Sequence, residues 1–333
     1  MIRYSQFYGI EKIKRWRPGM KTIYKTDNGV LSQMFLYEPD VWVHLISPTM
    51  DELMDVAGHY DIDISDLRAA LDEEESSRVQ MEDGYTLILV DIPCEEMRNE
   101  QRAYTTIPLG ILLVSDAIIT VCSEDTVILN YFYNNRMRGF STKKKIRFVY
   151  QILLRTTNLY QSLLRVIDKK RSEIEKRIGT ETTEDKDLIT LHELETNLVY
   201  FATSLSANKI VLERLTRYER IKQYTEDKEL LDDVIVENRQ ALEMTNIYRD
   251  IIHGARELVS TLINNRLNNV MKFLASITLV MAIPTIISGL YGMNVSETWM
   301  PLSDTPHGFL IICVLTGAIC VLALLVLKKR KML

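Results

Sequence analysis

Residues 273–296 read FLASITLVMAIPTIISGLYGMNVS, 24 consecutive positions without a charged side chain, and residues 308–327 read GFLIICVLTGAICVLALLVL, 20 more. At about 1.5 Å of rise per residue, each stretch is long enough to cross about 30 Å of hydrocarbon as a helix. Two such helices near the C-terminus define an integral membrane protein. Basic residues set its orientation: Arg266 and Lys272 precede the first span, Lys328, Lys329, Arg330 and Lys331 follow the second, and residues 291–307 contain no Lys or Arg. Both ends are expected in the cytoplasm and the protein in the plasma membrane. The opening segment, with Arg3, Glu11, Lys12, Lys14, Arg15 and Arg17, has no apolar core of the kind a secretory signal needs.

Working outward from the spans, the 333-residue chain has a net charge of −5 with +4 in its tail, hence −9 for residues 1–327. An acidic soluble part argues against nucleic acid as a partner and suits cations. Cys94, Cys122, Cys313 and Cys320 form no CxxC pair, and reduced thiols are expected.

Residues 1–142 read as a mixed α and β domain. Apolar, β-branched runs at 41–46, 85–92, 107–114 and 117–122 predict strands, with Ser115 and Asp116 turning the last two into a hairpin. Thr49 with Glu52 three residues later predicts a capping box, and Ser65 is a candidate cap for a second helix. Strong helix formers dominate after Ser141. Residues 143–226 predict an antiparallel helical pair broken around Gly179, and residues 227–271 a stalk helix that continues without a stop signal into the first span. In the stalk, Ala241, Thr245, Tyr248, Ile252, Ala255, Val259 and Leu262 alternate spacings of four and three, a stripe suited to lengthwise packing. Two readings stand for it: a plain stalk, or self-association around the stripe. The remaining boundaries are a first membrane helix at 272–291, an external loop at 292–307, a second membrane helix at 308–327 and a basic tail at 328–333.

The first span ends in Tyr291-Gly292-Met293-Asn294. Together with the NNVMKFL approach at 268–274, the GLYGMN exit and the KKRK tail, this resembles the CorA family of divalent cation transporters, and the resemblance extends over nearly the whole chain. It implies an α+β membrane protein with an N-terminal cytoplasmic αβ domain, a long helical stalk and two C-terminal transmembrane helices, assembled as a funnel-shaped homopentamer. It further implies a selectivity filter at Gly292, Met293 and Asn294, and a pore-facing stripe at Met271, Leu274, Thr278, Ala282, Thr285 and Gly289. Mg²⁺ is the expected cargo, with Co²⁺, Ni²⁺ and Zn²⁺ as alternatives and proton-coupled transport as the alternative mechanism.

The residues suit that chemistry. Mg²⁺ dehydrates reluctantly, so a neutral amide such as Asn294 that hydrogen-bonds the water shell suits it better than a carboxylate cage. Gly292 permits a left-handed or otherwise open backbone where the helix ends, and Met293 packs flexibly. Apolar rings at Met271 and Leu274 can close a pore by dewetting. Plain helix packing in lipid is the other reading of the stripe, and an ordinary helix cap the other reading of Asn294.

The external loop lacks the acidic Met-Pro-Glu-Leu of many family members and reads Met300-Pro301-Leu302-Ser303-Asp304; Glu297 and Asp304 are its acids. The tail of Lys328, Lys329, Arg330 and Lys331 obeys the positive-inside rule and binds anionic lipid; the resemblance adds a basic ring at the pore's inner exit. It also assigns Asp233 to a regulatory Mg²⁺ site between subunits, against a helix-start acid favoured by the dipole; Asp83 and Asp91, beside and within the strand at 85–92, are the candidates for its partner acid. A membrane-anchored enzyme is the rival class. No phosphate-binding Gly-x-x-x-x-Gly-Lys, His-Glu-x-x-His or Gly-x-Ser-x-Gly occurs, and His44, His59, His192, His253 and His307 are scattered.

Overall fold

The computed structural model describes residues 19–27, 29–98, 101–134, 137, 139–177, 185–217, 225–294, 300–302 and 305–330. The described residues up to Ala255 form one compact unit and those from Arg256 onward a second.

The first unit begins with strands β1 (Met20–Asp27), β2 (Val30–Met34) and β3 (Val41–Ile46), then helices α1 (Met50–Tyr60) and α2 (Ile64–Ala69). Strands β4 (Arg78–Met81), β5 (Tyr85–Arg98), β6 (Gln101–Val114) and β7 (Ala117–Cys122) follow, then helix α3 (Val127–Tyr133). The seven strands form one sheet in the order β2-β1-β3-β7-β6-β5-β4. Its central pair, β3 and β7, is parallel, with Val41 opposite Ala117 and Ile46 opposite Cys122. All six residues of each are buried, because helices cover both faces of the sheet at its centre. One face carries α1 and α2, with Leu53, Val56 and Leu67 against Val43 and Leu45. The other buries Trp42, Ile118, Ile128, Phe132 and Phe148.

Thr49 forms the expected capping box with Glu52. The cap of α2 is Asp63, whose Oδ1 accepts from the Ser65 N–H at 2.8 Å, and not Ser65; the carboxylate two residues earlier takes the orphan amide.

Helices α4 (Lys145–Glu175) and α5 (Asp185–Thr216) precede α6 (Thr225–Tyr291), a single helix of 67 residues. α5 completes the sheet where β4 stops. Past Leu89, the last residue of β5 that β4 pairs, Asn208 acts as the missing strand. Its Oδ1 accepts from the Asp91 N–H at 2.9 Å and its Nδ2 donates to the Asp91 carbonyl at 2.7 Å. The start of α6 is tied to α4 by Arg147 with Glu226 at 3.1 Å and by Gln161 donating to Glu237 at 2.6 Å, and to α5 by Asn238 donating to the Leu205 carbonyl at 3.1 Å.

This packing decides between the two readings of the stripe. Ala241, Thr245, Ile252 and Ala255 are buried within their own chain. They are therefore not the face on which copies associate, since α4 and α5 already flank the helix that carries them.

Helix α7 (Gly308–Lys329) closes the chain, with Lys328 and Lys329 in its last turn, where cations oppose the negative end of the helix dipole. α6 and α7 are the two helices among the described residues that are long and apolar enough to cross a membrane. Of the sequence-derived site residues, Glu297, Asp304 and Lys331 lie outside the described residues.

Candidate ion-conduction site

Between Met271 and Tyr291, the positions of α6 that are not exposed are Ser276, Val280, Ala282, Ile283 and Ile287. In α7 they are Gly308, Ile312, Thr316, Cys320, Ala323 and Leu327. Both sets step by threes and fours, apart from the added Ala282, so each lies on one side of its helix. Cys320 of α7 donates its thiol to the Val280 carbonyl of α6 at 3.9 Å, on the shared seam.

The expected pore stripe falls elsewhere. Met271, Leu274, Thr278, Thr285 and Gly289 are exposed, and only Ala282 is half-buried. Ser276, Val280 and Ile287 each follow a stripe residue by two positions, which at about 100° per residue puts seam and stripe on opposite sides of α6. Thr278 donates its hydroxyl to the Leu274 carbonyl at 2.8 Å and Thr285 to the Met281 carbonyl at 2.9 Å. With the proton directed back to the helix, what these hydroxyls present outward is oxygen lone pairs, which can accept a hydrogen bond from water.

The helix does not open at Gly292. Its N–H donates to the Ser288 carbonyl at 2.9 Å, and Met293 follows with a 3.4 Å bond to the Leu290 carbonyl. Gly292 is not among the residues of positive φ, so the expectation of a left-handed backbone is corrected. The glycine serves a close approach instead: a Cβ there would stand 3.2 Å from the Ser288 oxygen. One further turn past Tyr291 leaves Met293 and Asn294 exposed just beyond the helix end.

Two further residues shape this end, and sequence reading passed over both. Tyr291 donates its hydroxyl to the Pro301 carbonyl at 2.9 Å, tying the helix end to the returning loop. A phenol beside a polar motif at a membrane boundary was the available signal, because its O–H seeks a partner there. Gly308 lets that loop close: a Cβ on it would overlap the Leu302 carbonyl oxygen, while its own N–H donates to Thr305 at 2.9 Å.

In the first unit, Asp233 is exposed in the third turn of α6, and Asp83 is exposed beside Gly84 in the turn between β4 and β5. Asp91 is engaged inside its own chain. Burial raises its carboxyl above the usual carboxylate range, and the Ser204 and Ser77 hydroxyls offset this only in part. Among the described residues, no three His, Cys, Asp or Glu side chains gather as a metal site within one chain. His44 is a packing residue: burial drives it down to about 3, and its Nδ1 meets the Thr120 hydroxyl at 3.0 Å.

Residues 40–329 match the family model for the CorA-like Mg2+ transporter protein. The cobalt/magnesium transport protein CorA of Methanocaldococcus jannaschii is 28% identical over 300 residues, covering 87% of this chain and 90% of the relative. That of Thermotoga maritima is 26% identical over 273 residues, covering 80% and 76%. The complete structure of the CorA magnesium transporter from M. jannaschii superposes with a TM-score of 0.78 at 25% identity, covering 93% of this chain and 98% of that one. Family model and full-length structure agree over the αβ domain, the long helix and the two apolar C-terminal helices. By fold and by family, this chain is a membrane transporter and not an enzyme, and it belongs to the CorA-like Mg²⁺ transporter family.

Proposed function

We propose that copies of this chain form a homopentameric divalent-cation channel of the plasma membrane that carries Mg²⁺ into the cytoplasm, where both termini lie. The observation that supports this most is the division of α6 into two faces. α7 takes the side of Ser276, Val280 and Ile287, which frees the side of Met271, Leu274, Thr278, Thr285 and Gly289 to surround an ion path. Asn294, exposed at the end of the same helix, selects the hydrated ion through its amide oxygen, with Gly292 and Met293 shaping the ring.

No nucleotide site is needed. At about 2.3 kcal/mol per charge per 100 mV, an inside-negative potential drives a divalent ion inward with about 4.6 kcal/mol, more than a thousandfold in concentration. Two relatives are cobalt/magnesium transport proteins, which makes Co²⁺ the second ion to test ahead of Ni²⁺ and Zn²⁺. Glu297 and Asp304 concentrate cations at the outer mouth, and Lys328, Lys329, Arg330 and Lys331 ring the inner exit while holding anionic lipid.

Cytoplasmic Mg²⁺ regulates the channel at Asp233. Hard carboxylate oxygens suit the ion. Because no group of three such ligands forms among the described residues of one chain, Asp233 takes an acid from a neighbouring copy. Asp83 fits that role better than Asp91, whose carboxyl already has hydroxyl partners in its own chain. The test is uptake by purified protein in liposomes, across Mg²⁺, Co²⁺, Ni²⁺ and Zn²⁺, at set potential and with or without a pH gradient. Potential-driven Mg²⁺ uptake indifferent to the pH gradient is expected. Uptake that stops when the gradient is collapsed identifies a proton-coupled transporter instead.

A further inference from the structure

Pro284 interrupts the backbone ladder of α6 in the middle of its apolar stretch. It has no N–H, so the carbonyl four residues earlier, that of Val280, loses its intrahelical donor. In hydrocarbon such a carbonyl must find another partner, because there is no water to supply one. The carbonyl orphaned by Pro284 is the one that α7 reaches: the Cys320 thiol donates to Val280 O at 3.9 Å, a separation that the size of sulfur allows.

The neighbouring hydroxyls behave differently. Ser276, Thr278, Thr285 and Thr316 donate to carbonyls four residues back on their own helices. Cys320 crosses to the other helix. Its seam position is half-buried, whereas Cys313, two turns earlier, is exposed.

We infer that Cys320 is a positioning residue for the helix that carries the pore stripe: its S–H replaces the N–H that Pro284 lacks and holds the proline turn of α6 at one setting against α7. The two halves of the device sit on different helices. The proline makes the turn deformable, and the thiol fixes it. The consequence for ion flux rests on the transport reading proposed above; the hydrogen bond itself does not.

The inference separates three substitutions by chemistry. Cys320→Ser keeps a donor but not its reach, because the shorter C–O bond and smaller atom do not span the 3.9 Å that sulfur does; Cys320→Ala removes the donor, and Cys320→Val fills the space without donating. Pro284→Ala restores an N–H at 284, so Val280 O no longer depends on the thiol. An interhelical hydrogen bond in a membrane averages about 0.6 kcal/mol, so its loss is expected to lower flux about threefold.

The experiment uses full-length protein in liposomes and reads two signals. The S–H stretching band of Cys320 is taken as the infrared difference between the protein with Cys320 and its Cys320→Ala variant, with Pro284 and again with Pro284→Ala. The band is expected at the lower, bonded frequency with Pro284 and at the free-thiol frequency with Ala. For Mg²⁺ flux, Cys320→Ala, Cys320→Val and Cys320→Ser are each expected to fall about threefold, and Cys320→Ala to have no effect once Pro284 is Ala. A band at the same frequency in both backgrounds, or flux of Cys320→Ala equal to wild type with Pro284 in place, overturns the inference. If no protein in the set carries the ion while the band shifts as expected, the transport reading fails and the hydrogen bond stands.

Discussion

Truncating Asn294 to Ala tests the centre of the proposed function, because the expected effects on transport and on stability differ by orders of magnitude. The side chain is exposed at the end of α6, so its loss leaves no cavity and is expected to change stability by less than about 0.5 kcal/mol. The backbone that positions it is held by the Gly292 and Met293 amide bonds to Ser288 and Leu290, which the substitution does not touch. Each amide contributes about 1 kcal/mol in hydrogen bonding to the ion's water shell, and a ring of five copies about 5 kcal/mol. At 1.4 kcal/mol per factor of ten, this is a loss of about a thousandfold or more in uptake. The measurement is Mg²⁺ flux into liposomes at fixed potential, beside the thermal midpoint and elution volume of the same preparation. Asn294→Gln keeps the amide one methylene further out and is expected to fall between wild type and Ala. Flux within threefold of wild type from a well-folded Asn294→Ala oligomer would refute the selection role.

Three other outcomes are expected. Asp233→Ala should weaken inhibition by cytoplasmic Mg²⁺ and reduce the protease protection that Mg²⁺ confers on the soluble part; if both stay as in wild type, Asp233 is only a solvated acid in the third turn of α6, past the helix start where the dipole would favour it. A cysteine at Pro306 should react with an impermeant maleimide added outside intact cells and one at the exposed Phe35 should not, the reverse pattern overturning the orientation. The third concerns pH: His44, held at about 3 in the fold against about 6.5 unfolded, favours folding above pH 6.5 and loses that contribution as pH falls, because the unfolded chain takes up the proton first. Between pH 6.5 and 5.5 the midpoint of urea unfolding should therefore report a loss of about 1 kcal/mol more in wild type than in His44→Gln, and parallel pH profiles for the two would remove His44 from the account.

The sequence carried the membrane part well and the sheet unevenly. Two uncharged stretches longer than 18 residues have few alternatives, and the tetrapeptide at 291–294 between them narrows the class further. The strands at 41–46 and 117–122 were legible because central parallel strands, buried on both faces, are continuous apolar runs. The edge hairpin of β1 and β2 was not, since MKTIYKTD and VLSQM mix polar and apolar residues on a half-covered edge. Its signal was the Asn28-Gly29 pair between them, the dipeptide that two-residue hairpin turns favour. The stripe on α6 shows a different limit. Its spacing correctly announced a helix packed lengthwise, but periodicity does not say whether the partner belongs to the same chain, and here α4 and α5 supply it. The right-handed turn at Gly292 was missed for a related reason: glycine permits a left-handed turn without requiring one, and here the i to i−4 bond was available.

What one chain lacks also bears on how it works. Two helices packed side by side stand about 8–10 Å apart and interlock their side chains, which leaves no space between α6 and α7 for an ion with its water shell. The seam of Ser276, Val280, Ile287, Thr316 and Cys320 is therefore assigned to packing, and the proposed path for the ion lies on another face of α6. The opposite face mixes Met271 and Leu274 with Thr278, Thr285 and Gly289. Hydroxyls and a glycine contribute little to lipid contact, whereas around a closed axis they supply oxygen at intervals of one to two turns and leave room beside it. A closed ring is the arrangement that brings the same face of every copy to one axis and leaves no unsatisfied edge. Asp233 is likewise exposed, and among the described residues no two further ligands join it in its own chain. In the proposed assembly neighbouring copies complete both the ion path and the regulatory site, so conditions that separate the copies should abolish flux and Mg²⁺-dependent protection together while leaving the αβ sheet folded.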